Sequence, residues 1–391
     1  MKKYYFDNSA TTQLDQDVFE KMRQYFTLQY GNANSVYSLG RESAFAVDTA
    51  RRDIANALSC LPNEIYFTSG GAESDNWAIK GIALANKDKG NKIIISSIEH
   101  PAIINSTKWL ENLGFEVVYL PVSPEGFVTV SALKGVIDDK TILVSIMTAN
   151  NEIGTIQPIK ELCAIAHEYG AYFHTDAVQA VGYVDINVKN TNVDLLTVSA
   201  HKFYGPKGIG FLYVKNGVKI DKLIHGGHQE KSMRGGTTNT PLIVGLSQSF
   251  VRAIDCMESN ITNVGKIRDY FIEKIVREIP NVIINGDEPK LAQNANVTFV
   301  GVTATALLFN LDMKGVMCSA GSACSSGSVS PSHVLTALGI KIEDALSSLR
   351  FTFSKYNTFD EIDEAVIIIK DCVTSLTEKQ AVLYFNNEIN A

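Results

Sequence analysis

The sequence predicts an α/β fold in which a large domain with a mainly parallel, seven-stranded sheet is joined to a smaller α+β domain. From about residue 16 to 255, short apolar runs rich in β-branched residues alternate with longer amphipathic stretches, the pattern of successive βαβ units. After Pro241 this pattern changes to a long helical stretch and then to mixed short strands and helices. The length of 391 residues is ample for two such units. We therefore expect residues 16–255 to form the large domain, and residues 1–15 with 256–391 the smaller one.

Seven segments have the length and composition of buried strands. Each is short and rich in apolar residues, and most are separated by stretches with helical periodicity. In chain order the predicted strands are 64–68, 92–96, 115–120, 141–147, 171–175, 195–199 and 210–214. Since parallel strands need long crossover connections, which are usually helices, this spacing favours a mainly parallel sheet.

One stretch of the smaller domain fits neither a helix nor a strand. Residues 319–332 read SAGSACSSGSVSPS, with too little apolar content to pack and many residues that tolerate unusual backbone angles. We expect a mobile loop there, and this loop carries Cys324.

Charge and composition narrow the class of protein. Thirty-five Lys and Arg residues against 42 Asp and Glu residues give a net charge of −7, the wrong sign for direct binding to nucleic acid or to an anionic membrane. The six cysteines are scattered and contain no Cys-x-x-Cys pair, which indicates reduced thiols in a cytoplasm. We find no apolar signal-peptide core and no apolar run of the ~20 residues that span a membrane. The expectation is a cytoplasmic protein that is neither exported nor embedded.

A lysine follows directly after the predicted strand 195–199. The segment SAHKFYGPKG, residues 199–208, ends in a Gly/Pro turn and places Lys202 at the carboxyl end of that strand. Ligands of open α/β sheets bind at this edge, and a lysine held there can become a nucleophile toward carbonyl groups. A lysine in a polar loop is more often a solvated charge, so this segment needs support from others.

Two further segments lie at strand ends. In TSGGAESDN, residues 68–76, Gly70 and Gly71 stand between a strand and a helix, where backbone N–H groups can face a phosphate. In YFHTDAVQ, residues 172–179, Asp176 ends a strand and could keep a ring nitrogen protonated, while Gln179 points at the same ligand. An ordinary helix cap would explain each segment by itself. The order of phosphate cradle, acid and lysine nevertheless suits one cofactor.

Nine motifs in register cover essentially the whole chain. They are YFDNSATT (5–12), TSGGAESDN (68–76), EHPA (99–102), NNEIG (150–154), HTDAVQ (174–179), SAHKFYGPKGIG (199–210), MRGGT (233–237), GSACSSGSVSPSHVL (321–335) and SSLRF (347–351). Together they resemble the pyridoxal-phosphate-dependent cysteine desulfurases of the NifS/IscS type, in the class-V aminotransferase-like family. The resemblance implies the type I fold of pyridoxal-phosphate-dependent transferases. It also implies a group I desulfurase, which converts L-cysteine to L-alanine and passes the sulfur to an enzyme cysteine as a persulfide.

The resemblance implies a role for each matched residue. Lys202 would form a Schiff base with pyridoxal 5'-phosphate, His100 would stack on the pyridine ring, and Asp176 would pair with the ring nitrogen. Arg350 and Asn151 would hold the substrate carboxylate, since a guanidinium can bond a carboxylate through two donors. The remaining cofactor contacts would be Gln179 to the ring oxygen, and Gly71, Ala72, Ser199 and His201 to the phosphate. Thr237 would reach the phosphate of the neighbouring subunit, which implies a homodimer with shared sites.

By the same resemblance Cys324 is the catalytic thiol. Its thiolate would attack the substrate sulfur, and Lys202, once freed, would remove the proton from the substrate α-carbon. Because a thiol of ordinary pKa is only a few per cent thiolate at neutral pH, His100 is the candidate that takes its proton or serves as a local acid or base. No metal site is expected beyond a transient iron–sulfur contact at Cys324, since no His or Cys spacing around it fits zinc.

Several positions depart from the family pattern. Ala72 replaces a usual threonine, which removes a hydroxyl that could bond the phosphate and should weaken cofactor binding modestly. The other departures are Ala33, Tyr37, His228 and Ser354. None of them replaces the lysine, acid, arginine or cysteine named above, so they bear on rate and substrate preference rather than on the type of reaction.

Three functions compete on the sequence alone. The leading one is a desulfurase that passes sulfur to an acceptor, either an iron–sulfur scaffold protein or a tRNA-thiolating enzyme. A selenocysteine lyase or another pyridoxal-phosphate-dependent β-lyase would form no persulfide, and would therefore keep its turnover in Cys324→Ala. A non-catalytic sulfur-relay or scaffold component that binds the cofactor would need a damaged lysine or cysteine, whereas Lys202 and Cys324 are both present.

Overall fold

The strands of the computed structural model, which describes residues 2–320 and 330–389, form three sheets. In chain order the strands are β1 (Tyr4–Tyr5), β2 (Ile65–Thr68), β3 (Lys92–Ser96), β4 (Glu116–Leu120), β5 (Thr141–Ser145), β6 (Tyr172–Asp176), β7 (Leu195–Ser199), β8 (Gly210–Val214), β9 (Val282–Asn285), β10 (Asn294–Phe299), β11 (Val316–Met317) and β12 (Ser348–Thr352). The largest sheet has seven strands in the order β2-β8-β7-β6-β5-β3-β4. The predicted α/β class with a seven-stranded sheet is therefore confirmed.

The seven-stranded sheet is parallel except around β8. This strand pairs antiparallel with β2 and β7, while every other neighbouring pair is parallel. Its strands lie within two residues of the predicted bounds. All residues of β3, β5, β7 and β8 are buried, as expected for strands covered by helices on both faces. This burial explains why they are continuous apolar runs rather than alternating patterns.

Helices cover both faces of this sheet and extend into the C-terminal third of the chain. They are α1 (Gln16–Thr27), α2 (Ser38–Leu58), α3 (Gly71–Ala85), α4 (Pro101–Glu111), α5 (Val130–Lys134), α6 (Ile159–Glu168), α7 (Val188–Thr191), α8 (Thr240–Asp255), α9 (Met257–Glu278), α10 (Ala304–Met313), α11 (His333–Ala337), α12 (Ile342–Ala345) and α13 (Phe359–Ile389). The helical stretch expected after Pro241 comprises α8 and α9, which meet at Cys256. The Asn239 side chain caps α8 by accepting from the Leu242 amide.

The N-terminal residues pack against the C-terminal third of the chain. Strand β1 pairs parallel with β11, and a second sheet has the order β12-β10-β9. Phe6 lies in a cluster of buried rings, 5.2 Å from Phe353 and 6.4 Å from Phe271 between ring centroids. Burial of these rings provides most of the driving force for this packing. It also holds Asp7 beside β12, where the two form an isolated bridge at Thr352.

Among residues 2–320 and 330–389, no helix has an apolar run long enough to cross a membrane.

Candidate active site

A cavity of about 300 Å³ opens where the carboxyl ends of β2, β5, β6 and β7 converge. Nearly all of the residues proposed from the sequence line it. They are Gly71, Ala72, His100, Asn151, Asp176, Gln179, Ser199, His201, Lys202 and Arg350. The structure therefore brings together residues that are up to 279 positions apart, from 71 to 350. We call the part formed by Gly71, Ala72, Asp176, Gln179, Ser199, His201 and Lys202 the lysine end. We call Asn151 and Arg350, together with Asp7 and Ser319, which bond to Arg350, the arginine end.

The turn from β2 into α3 forms one wall of the lysine end. Gly70 has φ +147°, and a Cβ atom on Gly71 would lie 3.0 Å from Cγ2 of Val178. A Cβ on Gly210 would lie 2.9 Å from the Gly70 Cα atom, so three glycines allow these backbones to approach closely. Helix α3 begins at Gly71, and the N–H groups of a first helical turn have no partner within the helix. Together with the Ser199 and His201 side chains, they form a cradle that suits a phosphate.

The amine of Lys202 points to the N-terminal segment. Its Nζ atom donates to the carbonyl oxygens of Ser9 (2.5 Å) and Ala10 (2.8 Å). The Gln179 amide donates to the same Ser9 oxygen at 3.0 Å, and Nδ1 of His201 lies 3.2 Å from the Thr11 hydroxyl. Residues 9–11 therefore position three side chains of the lysine end.

Two buried carboxyl groups line the cavity beside Lys202. Asp176 accepts from the Val178 amide at 2.8 Å, and burial raises its pKa to about 6 against the opposing effects of that amide and of Lys202. Asp75 is 1% exposed, and its Oδ1 atom has no hydrogen-bond partner in the described part of the chain. Burial and the neighbouring Asp176 raise the pKa of Asp75 well above its usual value. A protonated ring nitrogen placed here would stabilise the charged form of these acids, so the donor set fits pyridoxal phosphate.

His100 is the cap of helix α4. Its Nδ1 atom accepts from the Ala102 amide at 3.1 Å, an arrangement that assigns the ring hydrogen to Nε2. Burial, with smaller effects of Lys202 and His333, lowers the pKa of His100 to about 4. The ring is therefore neutral at pH 7 and presents an N–H donor to the cavity. Taking up a proton at Nε2 would first require a change of tautomer, so the role of His100 as a base stays a prediction.

Arg350 dominates the arginine end. The residue is 2% exposed, and its guanidinium donates to the Asp7 carboxylate and to the Asn151 carbonyl, each at 2.9 Å. Its Nε atom is buried without a hydrogen-bond partner in the described residues. A buried guanidinium with an unused donor is suited to receive one further oxygen, such as that of a substrate carboxylate.

One predicted site residue lines a different cavity, and another is outside the described residues. Thr237 lines a separate cavity of about 190 Å³ with Ser69 and Arg234. Cys324 lies outside the described residues, as do positions 321–329 of the predicted loop. Of the described residues of that loop, Ser319 bridges to Arg350 and Ser332 caps α11.

Sequence reasoning missed several residues that shape the cavity. Asp7, Ser9 and Ala10 act on Arg350 or Lys202, yet they were noted only as part of a matching motif. Asp75 and Glu152 also line the cavity or border it and are almost fully buried. Their neighbours in the chain, AESDN and NNEIG, are themselves polar, so nothing in the local sequence indicates that these acids are buried. Of the departures from the family pattern, Ala72 lines this cavity, while Tyr37 and His228 are exposed elsewhere.

Comparison with known proteins decides the family. The sequence profile of the class-V aminotransferases matches residues 4–365. The chain belongs to the class-V aminotransferase family. It is 51% identical over 376 residues to the cysteine desulfurase IscS of Methanosarcina thermophila, covering 96% of this chain and 93% of that protein. It is 49% identical over 380 residues to the cysteine desulfurase IscS of Clostridium botulinum, covering 96% of each.

Solved structures agree with this family. A NifS-like protein superposes with a TM-score of 0.91 at 35% identity, covering 96% of this chain and 100% of that one. SspA in complex with cysteine superposes with a TM-score of 0.81 at 36% identity, covering 91% of this chain and 100% of that one. Within the class-V aminotransferases the chain groups with the cysteine desulfurases, which depend on pyridoxal phosphate. The resemblance noted from the motifs is thus confirmed.

Proposed function

We propose that this protein is a cysteine desulfurase that converts L-cysteine to L-alanine and transfers the sulfur to Cys324 as a persulfide. The observation that carries the proposal is the cavity itself, in which a strand-end lysine, a buried acid and a buried arginine face one another. The names of relatives near 50% identity, and the cysteine held by a structural neighbour, support the choice of substrate.

Different residues of the cavity would bind different parts of the cofactor. Lys202 would hold pyridoxal phosphate covalently, with Asp176 at the ring nitrogen and Gln179 at the ring oxygen. Gly71, Ala72, Ser199 and His201 would bind the phosphate. When bound, the cofactor supplies an electron sink that weakens bonds at the substrate α-carbon.

The remaining residues act on the substrate. Arg350, held by the Asn151 carbonyl, binds the carboxylate, and the Lys202 amine takes the α-proton. The Cys324 thiolate attacks the substrate sulfur: an S–S bond forms, the C–S bond breaks, and its electron pair remains on the carbon fragment, which is protonated to give alanine. His100 donates from Nε2 within the cavity. Turnover in His100→Gln, which keeps a donor but cannot act as a base, would support this donor role, and its loss would support the base.

Persulfide formation on Cys324 is the direct test. The purified protein, yellow when it holds the cofactor, is mixed with L-cysteine under anaerobic conditions, and the reaction is quenched with an alkylating agent. The mass of the peptide containing Cys324 is then measured by mass spectrometry. An added sulfur on this peptide, absent from Cys324→Ala and present in the matched variant Cys318→Ala, is the expected result. Alanine production with unmodified Cys324 would indicate the lyase. Absence of alanine would indicate a non-catalytic role or another amino acid substrate.

We further infer a homodimer in which Thr237 serves the neighbouring subunit. Two observations support this: Thr237 lies away from the cavity of its own chain, and a set of large apolar side chains near the N-terminus is exposed. The set comprises Phe19, Phe26, Leu28, Tyr30, Val36, Tyr37 and Phe45. Exposed apolar surface of this extent is typical of an interface.

Mixing two inactive variants tests the shared site. Lys202→Ala chains mixed and refolded with Thr237→Glu chains would contain one site with both native residues, so activity should return in mixed dimers. Activity that stays absent, in a mixture shown by light scattering to contain dimers, would contradict the sharing of sites.

The proposal also includes the bounds of the two domains, the location in the cell and the sulfur acceptor. Separate apolar clusters support a division into residues 16–255 and residues 1–15 with 256–391, because Phe6 clusters with Phe271 and Phe351 rather than with the large sheet. A cytoplasmic location agrees with the net charge of −7 and with cysteines that lie apart. The sulfur acceptor would be an iron–sulfur scaffold or a tRNA-thiolating enzyme, identified by following labelled sulfur from Cys324 into each candidate.

A further inference from the structure

The partner of Arg350 in this structure is itself a carboxylate. Asp7 Oδ1 accepts from Nη2 at 2.9 Å, and the Asn151 carbonyl accepts from Nη1 at the same distance. The Arg350 side chain is 3% exposed and the Asp7 side chain 17% exposed. A charge-assisted contact between two groups so little exposed to water is only weakly screened.

Hydrogen bonds fix the orientation of the Asp7 carboxylate. Its second oxygen, Oδ2, accepts from the Ser319 hydroxyl at 2.7 Å. The backbone of Ser319 pairs with that of Arg350 in both directions, with N···O distances of 2.6 and 3.1 Å. The backbone of Asp7 is in turn bridged to Thr352. Ser319 and strand β12 thus fix the carboxylate against the guanidinium.

Arg350 contacts both Asp7 and the cavity. The Nε atom of Arg350 is buried without a partner in the described residues, and Arg350 lines the cavity. A ligand carboxylate bound at this point would share one guanidinium with the fixed carboxylate of Asp7. Like charges at such short range repel strongly where water is largely excluded.

We propose that Asp7 is a resident counter-ion of Arg350 that weakens the binding of amino acid carboxylates and so favours release of the product. The inference rests on the proposed function for the identity of the ligands. Asp7 is a positioning residue here, since it acts through Arg350 rather than on the reacting atoms. Its effect is specific to ligands that carry a carboxylate.

The test compares Asp7→Asn with the native protein, both loaded with pyridoxal phosphate. Asparagine has the same shape and keeps an oxygen for Arg350, but it removes the charge. Binding of L-alanine is followed through the absorbance of the bound cofactor, and we expect its Kd to fall by about tenfold. KM for L-cysteine should fall in parallel, whereas cysteamine, which lacks the carboxylate, should bind unchanged. Asp7→Glu, which restores the charge, should bind L-alanine within about twofold of native.

Two controls keep the result interpretable. Asp17→Asn removes one exposed negative charge, on a residue that pairs with Arg252, and should leave the Kd of L-alanine unchanged. Asp7→Ser removes the same charge with a smaller side chain and replaces Asp7→Asn if that variant does not fold. Weaker binding of L-alanine in the variants, or an equal gain for cysteamine, would overturn the proposal. Because L-alanine binding needs no sulfur chemistry, a native protein without persulfide on Cys324 would refute the desulfurase alone.

Discussion

The lysine end and the arginine end of the cavity are assembled in different ways. At the lysine end, Asp176 ends β6, Ser199 ends β7 and Gly71 opens the helix after β2. These strands belong to one sheet, and their carboxyl ends meet at one edge. At the arginine end, Asp7, Asn151 and Arg350 come from segments about 144 to 343 residues apart, joined only by packing and hydrogen bonds. A local motif can therefore specify the first end, whereas the second exists only in the folded chain.

The largest expected effect is at the lysine end. Replacing Lys202 by alanine removes the only group there that can hold the cofactor covalently and take the α-proton in the proposed reaction. Alanine production should fall on the order of 10⁴-fold. The exposed Lys207, five residues later, provides the control, since Lys207→Ala should retain native turnover. Substantial activity in Lys202→Ala would mean that another group removes the α-proton.

At the arginine end, Arg350→Lys should chiefly weaken substrate binding. Lysine keeps the charge but lacks the planar fork that contacts Asp7 and Asn151 together. A loss of ~2–3 kcal/mol, typical of one or two charge-assisted hydrogen bonds, corresponds to about a 100-fold rise in KM for L-cysteine, with a smaller change in kcat. Steady-state kinetics measure both. The control is Arg252→Lys, because Arg252 forms ion pairs with Asp15 and Asp17. An equal rise in KM in this control would contradict a specific role of Arg350 in binding the substrate.

Acid should act on the buried histidines in and beside the cavity. Burial lowers the pKa of His100 and His201 to about 4 and that of the neighbouring His174 to about 3. The unfolded chain, with histidine pKa values near 6.5, therefore binds protons first, and folding stability is lost as pH falls from 6.5 toward 4. Asp176, with its pKa raised to about 6, opposes this trend because its folded form gains a proton in the same range. Burial also raises the pKa of Asp75, Glu99 and Glu152, and these acids oppose the histidines in the same way. Replacing a single histidine therefore isolates the histidine contribution.

Urea unfolding of the cofactor-free protein at pH 7 and pH 5 measures this loss. Between pH 7 and pH 5 the native protein loses the free energy contributed by neutral His201, whereas His201→Gln, which cannot titrate, does not. The change in the free energy of unfolding should therefore be more favourable to the variant by about 1 kcal/mol or more. An equal change in the two proteins would show that His201 is not neutral in the folded protein.

The smallest effect concerns the departure at Ala72. Ala72 lines the lysine end next to Gly71, so Ala72→Thr would add one hydroxyl toward the bound phosphate. A neutral hydrogen bond contributes about 1 kcal/mol, which predicts a Kd for pyridoxal phosphate about fivefold lower. Ala72→Val has nearly the same shape without the hydroxyl and should show no gain. If both variants bind alike, shape rather than hydrogen bonding determines the phosphate contact.

Much of the lysine end was predictable from the sequence. Lys202, Asp176 and Gly71 each follow a short run rich in apolar and β-branched or aromatic residues, which favours a strand, and the strand bounds were correct to within two residues. Thr237 was expected at the site of a neighbouring subunit, and its position in a cavity of its own leaves that expectation a proposal. The coupling of Asp7 to Arg350 was not foreseen, although both residues stood in recognised motifs.

The sequence by itself determined the order of strands and helices along the chain, the family, and the residues at the strand ends. Apolar periodicity and backbone preferences are local, so they can be read from neighbouring residues. Only the tertiary structure decided that Asp7 lies against Arg350, that the carbonyls of Ser9 and Ala10 receive Lys202, and that Asp75 is buried beside Asp176. The contacts of Asp7, Ser9 and Ala10 involve the segment that follows Phe6, which is buried among distant aromatic rings. Burial and charge pairing between remote segments have no local signature in the chain.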